Sequence, residues 1–351
     1  MTIDSAACKL LFSDPIQSES AGILLRSRLQ SVARRLGFAD PRRENMVLVA
    51  SEMVTNLIKH AGGRGMLQIW EQPGGMLDVV SFDYGPGMDN LHLAQQDGFS
   101  TAGTLGKGLG SMQRLADEFG IFSQMPKGGD RERWHGTAVW CRFRRESAGA
   151  GAGRPTGAGA FCELGLFVRS LADDRYNGDH VYVDIRAERL RLFHLDGLGH
   201  GESAELATAR LDKYLTQAGS LAHLLEAVDR HLRSTARGAV AIACELDPAT
   251  RGLRMLGVGD MATHLCRRGQ IQHFAFAPGV LGREHKTPLP TEVTLERGSS
   301  LVSTSDGIRR GWSEEAFPGL CKQHPQLVAY VIGNALARMT DDQSVCVLKL
   351  N

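Results

Sequence analysis

Apolar residues recur at helical spacing in the first part of the chain and predict two long helices there. The first runs from Ser18 to Leu36, and Gly37 is typical of a helix end. The second begins at Asp40, a capping residue followed by proline, and continues to about Ala61. The other elements predicted in this half are an edge strand at 8–13, strands at 66–71 and 76–82 joined by a Pro-Gly-Gly turn, a helix at 109–119 and a strand at 136–144.

Beyond residue 160, short apolar runs dominate and predict many strands around a few helices. The strands are expected at 161–170, 181–185, 190–195, 239–245, 253–258, 262–266, 270–276, 301–304 and 344–350. The helices are expected at 204–217, 221–234 and 326–338. This pattern indicates an α+β layered sandwich.

A segment between the two halves cannot form a hydrophobic core. Residues 147–160 read SAGAGAGRPTGAGA, which predicts a flexible linker, with an internal surface loop as the alternative. We therefore expect one domain at 1–146 and a second at 161–351. A chain of 351 residues is long enough for two domains.

Composition restricts the partners and the compartment. The net charge of +1 gives no broad electrostatic case for nucleic acid or an anionic membrane as a partner. The sequence shows neither a signal peptide nor an apolar run near the roughly 18 residues of a membrane span, so we expect a cytoplasmic protein. The seven cysteines form no CxxC pair, which predicts reduced, mostly buried thiols and argues against a disulfide framework or a structural zinc site.

Three short motifs in the first half carry groups that suit a nucleotide. Glu52 and Asn56 are four residues apart, so they share one face of a helix and can hold a hard cation beside a phosphate chain. Asp83 follows a strand and offers a carboxylate to an exocyclic amine, and the glycines after it let backbone approach a flat ligand. A GKGLG run then opens a helix whose N-terminus suits anionic phosphates.

In order and spacing, the motifs ExxxN, DxGxG and GxGLG resemble the Bergerat-type ATP-binding fold of histidine kinases, gyrase-type ATPases and heat-shock chaperones. The runs SEMVTNLIKHA and GLGSMQRLADEF look most like the serine/threonine kinases of the anti-sigma-factor and stressosome switch class, over roughly residues 1–145. The resemblance implies an α/β two-layer sandwich, ATP with Mg²⁺ as cofactor, and a lid at 90–107. The chain has no phosphate-accepting histidine box, which argues against a sensor histidine kinase.

The same resemblance implies roles for individual residues. Glu52 would act as general base or water-positioning group for a seryl or threonyl hydroxyl, and Asn56 would hold Mg²⁺. Asp83 would accept a hydrogen bond from the adenine amine. The other residues implied in nucleotide binding are Gly85, Gly87, Gly106, Lys107, Gly108, Leu109, Gly110 and Thr137. Taken alone, Glu52 and Asn56 also fit a solvated helix face.

Acidic residues beside glycine lie at the ends of predicted strands in the second half. Asp179 precedes one strand, Asp196 opens a DGLGHG run after another, Asp306 lies in SDGI, and the pair Asp341-Asp342 precedes the last strand. Carboxylates at the ends of neighbouring strands can converge, and an all-oxygen donor set suits Mg²⁺ or Mn²⁺ instead of zinc. Two such ions can bridge a water, lower its pKa and direct it at phosphorus.

This set resembles the type 2C metal-dependent serine/threonine phosphatases, in particular the SpoIIE-like bacterial branch with its DGxGHG signature, over about residues 161–351. The resemblance implies an αββα sandwich that binds two Mn²⁺ or Mg²⁺ ions. The implied metal ligands are Asp179, Asp196, Asp306, Asp341 and the backbone carbonyl of Gly197, with Asp196 and Asp306 as the catalytic carboxylates.

Some of these assignments have alternatives on the residues alone. A slip of one residue would make Asp342 the ligand instead of Asp341. Asp179 also fits a plain turn, because Gly-Asp pairs are common in turns. His200 of the signature also fits a capping or core histidine. Gln343-Ser344 stands where relatives commonly have a small hydrophobic residue and Thr, which leaves the ligand in place.

Together the two resemblances imply a bifunctional regulator, a serine/threonine kinase fused to an opposing phosphatase. The implied partner is a STAS-type anti-sigma-factor antagonist or stressosome protein. Two alternatives exist for the first half: it sequesters a sigma factor, in which case a dimer is expected, or it senses nucleotide and regulates the phosphatase. Neither nucleic acid nor membrane is expected as a partner.

Overall fold

The structure, a computed structural model, describes residues 1–89, 108–126, 133–145 and 161–351. The chain folds as two compact units. The N-terminal unit comprises Lys9–Ala152, and the C-terminal unit comprises Met1–Cys8 together with Gly153–Asn351. Residues 1–8, which the sequence placed in the first domain, thus belong to the C-terminal unit. The predicted lid at 90–107, the linker at 147–160 and the candidate residues Gly106 and Lys107 lie outside the described residues.

The described ranges contain sixteen strands and seven α-helices. The strands are β1 (Thr2–Asp4), β2 (Lys9–Pro15), β3 (Gly65–Gln72), β4 (Met76–Asp83), β5 (Glu118–Gln124), β6 (Gly136–Phe143), β7 (Cys162–Arg169), β8 (Asp179–Ile185), β9 (Leu190–Gly197), β10 (Ala239–Leu246), β11 (Gly252–Val258), β12 (Ala262–Arg267), β13 (Gln270–Phe274), β14 (Thr291–Thr294), β15 (Ser300–Thr304) and β16 (Gln343–Leu350). The helices are α1 (Glu19–Arg35), α2 (Asp40–Ala61), α3 (Gly108–Leu115), α4 (Glu202–Thr208), α5 (Asp212–Gln217), α6 (Leu221–Leu232) and α7 (Pro325–Ala335). Within the described ranges, no helix has the length and hydropathy needed to cross a bilayer.

The N-terminal unit is a sheet of order β2-β3-β4-β6-β5, covered by helices. An apolar face attaches α2 to this sheet: Val49, Met53 and Leu57 recur at helical spacing and are at most 2% exposed. Each such burial contributes about 1.5–3 kcal/mol. Glu52 and Asn56 lie off this face and are only partly buried. The apolar pattern of α2 therefore orients the polar pair.

The C-terminal unit has two antiparallel sheets, of order β1-β8-β9-β10-β11-β14 and β13-β12-β15-β16-β7. Helices α4, α5 and α6 cover the first sheet through a shared apolar core, and α7 packs on β7 and β16 of the second. The sheets meet where His194 of β9 bonds Ser303 of β15 and Ser344 of β16. This is the helix–sheet–sheet–helix arrangement expected from the sequence.

Strand β1 is an edge strand of the C-terminal unit. Thr2, Ile3 and Asp4 pair with residues of β8 in antiparallel register. The Ser5 hydroxyl accepts a hydrogen bond from the Val181 N–H at 2.8 Å. A strand of three residues is too short to show a period, which is why the sequence pattern did not predict it.

Other elements also differ from the predictions. Helix α3 ends at Leu115, and Glu118 and Phe119, which were predicted to complete it, lie in β5 instead. The predicted helix at 204–217 is two helices, α4 and α5. Strand β14 was not predicted. Asp40 is the first helical residue of α2 and does not cap it, since Ala39 occupies the cap position.

The prediction that all cysteines are reduced is wrong for one pair. Cys266 of β12 and Cys321 form a disulfide across 55 residues of sequence. The spacing of the cysteines in the sequence does not predict this pair, because the two segments come together only in the folded chain. Five others are free and buried, as predicted: Cys8, Cys141, Cys162, Cys244 and Cys346.

Candidate functional site

Four acidic side chains of the C-terminal unit converge where its two sheets meet. Asp179, the first residue of β8, lies directly opposite Asp196 on β9. The Asp306 backbone N–H, just after β15, donates to Asp196 Oδ2 at 3.2 Å. Asp341, just before β16, is close enough for its charge to act on the other three. The structure thus brings together the four carboxylates that the sequence singled out.

This acidic cluster is electrostatically unfavourable in the absence of a cation. Burial raises the pKa of Asp179 to about 7, although the hydroxyls of Ser305 and Ser344 donate to it and partly oppose the rise. Burial, followed by the charges of Asp179 and Asp306, raises the pKa of Asp196 well above its usual range. Burial and the charge of Asp341 raise the pKa of Asp306. A bound cation would stabilise the ionised form of each group.

The two members of the Asp341-Asp342 pair have different surroundings. Asp342 is 2% exposed, and its two carboxylate oxygens accept from the N–H groups of Leu171 at 2.8 Å and Gly178 at 2.7 Å. Asp341 is partly exposed, and its charge is among the main influences on Asp179, Asp196 and Asp306, whereas the charge of Asp342 is among them only for Asp179. These contacts favour a structural role for Asp342 and leave Asp341 as the candidate ligand.

The donors at the cluster fit the ions that the resemblance implies. They are carboxylate oxygens, which Mg²⁺ and Mn²⁺ prefer. Gly197 follows Asp196 at the end of β9, and its N–H donates to the Gly178 carbonyl at 3.1 Å. A Cβ at Gly197 would lie 3.0 Å from that same carbonyl oxygen. The position is therefore tightly packed beside the cluster.

In the N-terminal unit, backbone contacts hold Asp83 in place at the end of β4. Its Oδ1 accepts from the N–H of Gly85 at 2.7 Å and of Thr137 at 3.0 Å. No group in the described part of the chain donates to its Oδ2. Burial raises the pKa of Asp83, and the two backbone hydrogen bonds partly oppose this. One carboxylate oxygen is fixed and the other is available to an amine.

Residues that the sequence did not single out complete the surroundings of Asp83. The Ser123 Oγ lies 2.9 Å from the Thr137 Oγ1 and accepts from the Met88 N–H at 2.8 Å. The Trp134 indole N–H donates to the Asp83 carbonyl at 2.9 Å. Ser123 lies on β5, part of which was predicted as helix, so its pairing with Thr137 could not be foreseen. A correct strand assignment would have revealed it.

The candidate glycines lie where close approach is required. Gly85 is buried, and a Cβ there would lie 3.0 Å from the Ala61 Cα. Gly87 has a φ of +71°, and a Cβ there would lie 2.3 Å from the Gln124 carbonyl oxygen. Both glycines are thus needed by the backbone itself.

The Glu52 carboxylate lies at the N-terminus of α3. A Cβ at Gly108, the first residue of α3, would lie 2.8 Å from Glu52 Oε2. Leu109 and Gly110 follow in the same turn, and Asn56 lies one turn further along α2. The structure therefore brings Glu52 of the ExxxN motif to the helix start that the sequence predicted for phosphate binding, as far as the residues of that helix start are described.

Each half of the chain matches a known protein family. Residues 18–134 match the histidine kinase-like ATPase domain, and residues 186–351 match stage II sporulation protein E (SpoIIE). The N-terminal half is 33% identical over 115 residues to the serine/threonine-protein kinase RsbT of Bacillus subtilis, which is 32% of this chain and 86% of RsbT.

Two solved structures are among those similar to this chain. RsbX in complex with magnesium is 17% identical and covers 55% of this chain and 96% of its own, with a TM-score of 0.47. The phosphatase domain of SpoIIE from Bacillus subtilis, with a fragment of its regulatory domain, is 14% identical and covers 95% of this chain and 94% of its own, with a TM-score of 0.46.

The fold and the matches define a two-domain protein, with a histidine kinase-like ATPase domain followed by a type 2C phosphatase domain. Through its N-terminal half the chain belongs to the RsbT family of serine/threonine kinases, and its C-terminal half is a SpoIIE-type phosphatase domain. The predicted fold class and the predicted enzyme classes, phosphatase and serine/threonine kinase, are confirmed at the level of family.

Proposed function

We propose that this chain phosphorylates a serine or threonine of a STAS-type regulatory protein with ATP and also hydrolyses phosphoserine or phosphothreonine on such a protein. The main support for the proposal is the acidic cluster, which lies in a chain whose other half is RsbT-like. Opposing activities on one chain would set the phosphorylation level of a switch protein.

In the C-terminal unit, Asp179, Asp196, Asp306, Asp341 and the Gly197 carbonyl would hold two Mn²⁺ or Mg²⁺ ions. When bound, the ions would supply a water of lowered pKa as the nucleophile. The residues of the chain would place and neutralise the reactants. Water adds to phosphorus, the seryl or threonyl oxygen leaves with a proton, and the products are the free hydroxyl and inorganic phosphate. Asp342 would keep the loop before β16 in position through its two backbone contacts.

In the N-terminal unit, Asp83 Oδ2 would accept from the adenine amine, and Asn56 would hold Mg²⁺. Glu52, beside the start of α3, would accept the proton of the attacking hydroxyl or position it. Removal of a general base typically costs about 10²–10⁴-fold in rate. Gly108, Leu109 and Gly110 would present backbone N–H groups to the phosphates.

The phosphorylated partner would be a small STAS protein of an anti-sigma or stressosome switch. Support comes from the similarity to RsbT, a serine/threonine-protein kinase, over 86% of that protein. The two other readings of the N-terminal unit, a sigma-factor binder and a nucleotide sensor, differ from the proposal in having no phosphoryl transfer.

The test uses the purified full chain, candidate STAS-domain proteins, Mg-ATP and Mn²⁺, with intact mass as the readout. Wild type is compared with Asp306→Asn and Glu52→Gln. Glu44→Gln is the matched control for the second variant, because Glu44 is an exposed carboxylate on the same helix. We expect Asp306→Asn to load phosphate onto a partner and wild type to remove it. Glu52→Gln should lose at least about 100-fold in transfer rate while ATP still binds.

Two results would contradict parts of the proposal. If no variant phosphorylates any partner while wild type still cleaves a phosphorylated one, the kinase assignment is wrong. Capture of a sigma factor on a sizing column would then identify a binder, and its absence with an ATP-dependent phosphatase rate would identify a sensor. If a phosphorylated partner is not cleaved with Mn²⁺ present, the phosphatase assignment is wrong.

A further inference from the structure

A chain of buried polar groups joins the two sheets beneath the acidic cluster. His194 of β9 lies between two serine hydroxyls of the opposite sheet, 3.0 Å from Ser303 Oγ through Nδ1 and 2.8 Å from Ser344 Oγ through Nε2. The Ser344 hydroxyl in turn donates to Asp179 Oδ2 at 2.7 Å. The three polar residues His194, Ser303 and Ser344 are at most 1% exposed. The path thus runs without solvent from Ser303 to a candidate metal ligand.

The donor and acceptor along this path can be assigned from the number of hydrogens. The single hydroxyl hydrogen of Ser344 is donated to Asp179 Oδ2. Toward His194, Ser344 Oγ must therefore accept, which requires a hydrogen on Nε2. A neutral imidazole then has a bare Nδ1, which accepts the hydroxyl hydrogen of Ser303. Every hydrogen on the path is used once and all point toward Asp179.

We propose that His194 is a positioning residue for the candidate metal ligand Asp179, acting through the Ser344 hydroxyl. This rests on the proposed phosphatase function of the C-terminal unit. The imidazole donates to Ser344 and so restricts the rotation of its hydroxyl, which then holds one oxygen of Asp179 in a fixed direction. Ser305 supplies a second hydroxyl to the same carboxylate, and its Oγ accepts from the Ser344 N–H at 2.9 Å. The ligand is thereby oriented before an ion arrives.

Other uses of His194 are excluded by its surroundings. It is fully buried, so it cannot contact a protein substrate. Both of its ring nitrogens are already bonded to serine hydroxyls, so neither is available to an ion or to a leaving group. It is an internal residue of β9, two positions before Asp196. Its influence on the cluster must therefore pass through Ser344 or through packing, and an experiment can separate these two routes.

The experiment measures Mn²⁺ binding to the full chain by titration calorimetry, together with the thermal midpoint and the dependence of phosphatase rate on Mn²⁺ concentration. The variants are His194→Leu, which removes both nitrogens, and His194→Gln, which keeps one donor and one acceptor. Ser344→Ala and the double variant complete a thermodynamic cycle. Gln326→Leu is the matched control, since Gln326 is 1% exposed and bonds the Leu166 backbone away from the acidic cluster.

We expect His194→Leu and Ser344→Ala each to weaken Mn²⁺ binding by about 10–100-fold, the usual effect of removing a group that orients a metal ligand. The double variant should lose little more than either single one, because the two residues act in series. His194→Gln should recover part of the affinity. Gln326→Leu should lower the thermal midpoint and leave Mn²⁺ affinity unchanged. At saturating Mn²⁺ the rate of His194→Leu should approach that of wild type.

Three outcomes would overturn the inference. Equal Mn²⁺ affinity of His194→Leu and wild type would show that the imidazole does not orient the ligand. Additive losses in the double variant would show that it acts through packing instead of through Ser344. If His194→Leu does not fold, His194→Gln and Ser344→Ala still decide the matter by their coupling. Failure of wild type itself to bind Mn²⁺ would contradict the proposed phosphatase and not this inference alone.

Discussion

In the C-terminal unit the candidate ligands are charged side chains placed on or within two residues of strands, whereas in the N-terminal unit much of the candidate site is backbone. Asp179 and Asp196 are buried, whereas Asp341 is partly exposed and Asp306 is exposed, and these carboxylates repel each other where two sheets meet. Asp83, in contrast, already has two backbone donors, and the glycines around it are fixed by close approach. One unit should therefore be stabilised by a cation, and the other depends on exact backbone shape.

The largest expected effect is that of removing one charge from the acidic cluster. Asp196→Asn should reduce the phosphatase rate by at least about 100-fold, because it removes a group proposed to hold the activating ions. In the presence of a chelator the same variant should be more stable than wild type. Burial and the neighbouring carboxylates raise the pKa of Asp196, so its ionised form destabilises the folded state at neutral pH, and the neutral amide removes that cost. A gain of about 1 kcal/mol would raise the thermal midpoint by about 2–4 °C.

Differential scanning calorimetry with and without Mn²⁺ checks this prediction. Wild type should gain stability with Mn²⁺, and the variant should not. Glu226→Gln, an exposed acid on α6, serves as control and should respond to Mn²⁺ as wild type does. A chelated Asp196→Asn less stable than chelated wild type would show that the cluster is not under electrostatic strain.

The second effect concerns the backbone dependence of the N-terminal unit. Gly87→Ala should destabilise this unit by about 2–4 kcal/mol, because it combines a left-handed φ with a clash against the Gln124 carbonyl. Gly74→Ala is the matched control: Gly74 has a φ of +83° but open space around its Cβ position, so only about 1–2 kcal/mol is expected. Hydrogen exchange followed by mass spectrometry on the full chain reports each unit separately. Equal losses in the two variants would contradict the close approach.

The third effect separates the adjacent acids before β16. Asp341→Asn should weaken Mn²⁺ binding by about 10-fold or more. Asp342→Asn should have a smaller effect on Mn²⁺ but should lower stability by about 1–3 kcal/mol, since an amide nitrogen cannot accept from Gly178 or Leu171. Calorimetric titration and thermal unfolding of both variants decide between them. The reverse pattern would place the ligand one residue later.

The smallest effect is a difference in acid sensitivity. The C-terminal unit buries three histidines, His180, His194 and His264, whereas no histidine is buried in the described part of the N-terminal unit. Burial lowers the pKa of His264 to about 4, so the folded state prefers the neutral ring. The contribution of neutral His264 to the free energy of unfolding is complete above the unfolded pKa of about 6.5 and is lost as pH falls toward 4. At pH 5.5 the loss is about 1 kcal/mol.

Hydrogen exchange at pH 7.5 and 5.5, corrected for the intrinsic rate, measures this loss in each unit. His264→Leu should reduce the acid sensitivity of the C-terminal unit. Unchanged pH dependence in that variant would assign the sensitivity to other groups.

Much of both candidate sites could be predicted because the chemistry lies in contiguous motifs. Asp196 and Asp306 lie in short runs of glycine and acidic residues that indicate a strand end. The spacing of Glu52 and Asn56 alone places them on one helix face. His194, Ser344 and Ser123 could not be found this way, because their roles depend on which residue of another strand lies opposite. The Cys266–Cys321 pair and the β1–β8 pairing were missed for the same reason. Local periodicity in the sequence does not determine which residues of two distant strands lie opposite each other.

The pairing of β1 with β8 has a consequence for the order in which the protein is made. The Met1 nitrogen bonds the carbonyl of Ile185, 184 residues later in the chain, so β1 can find its partner only after the intervening residues have been synthesised. At a translation rate of about 5–20 residues per second this takes about 10–40 s. The N-terminal unit can fold during that interval, before β1 can pair with the edge of β8, which begins at Asp179.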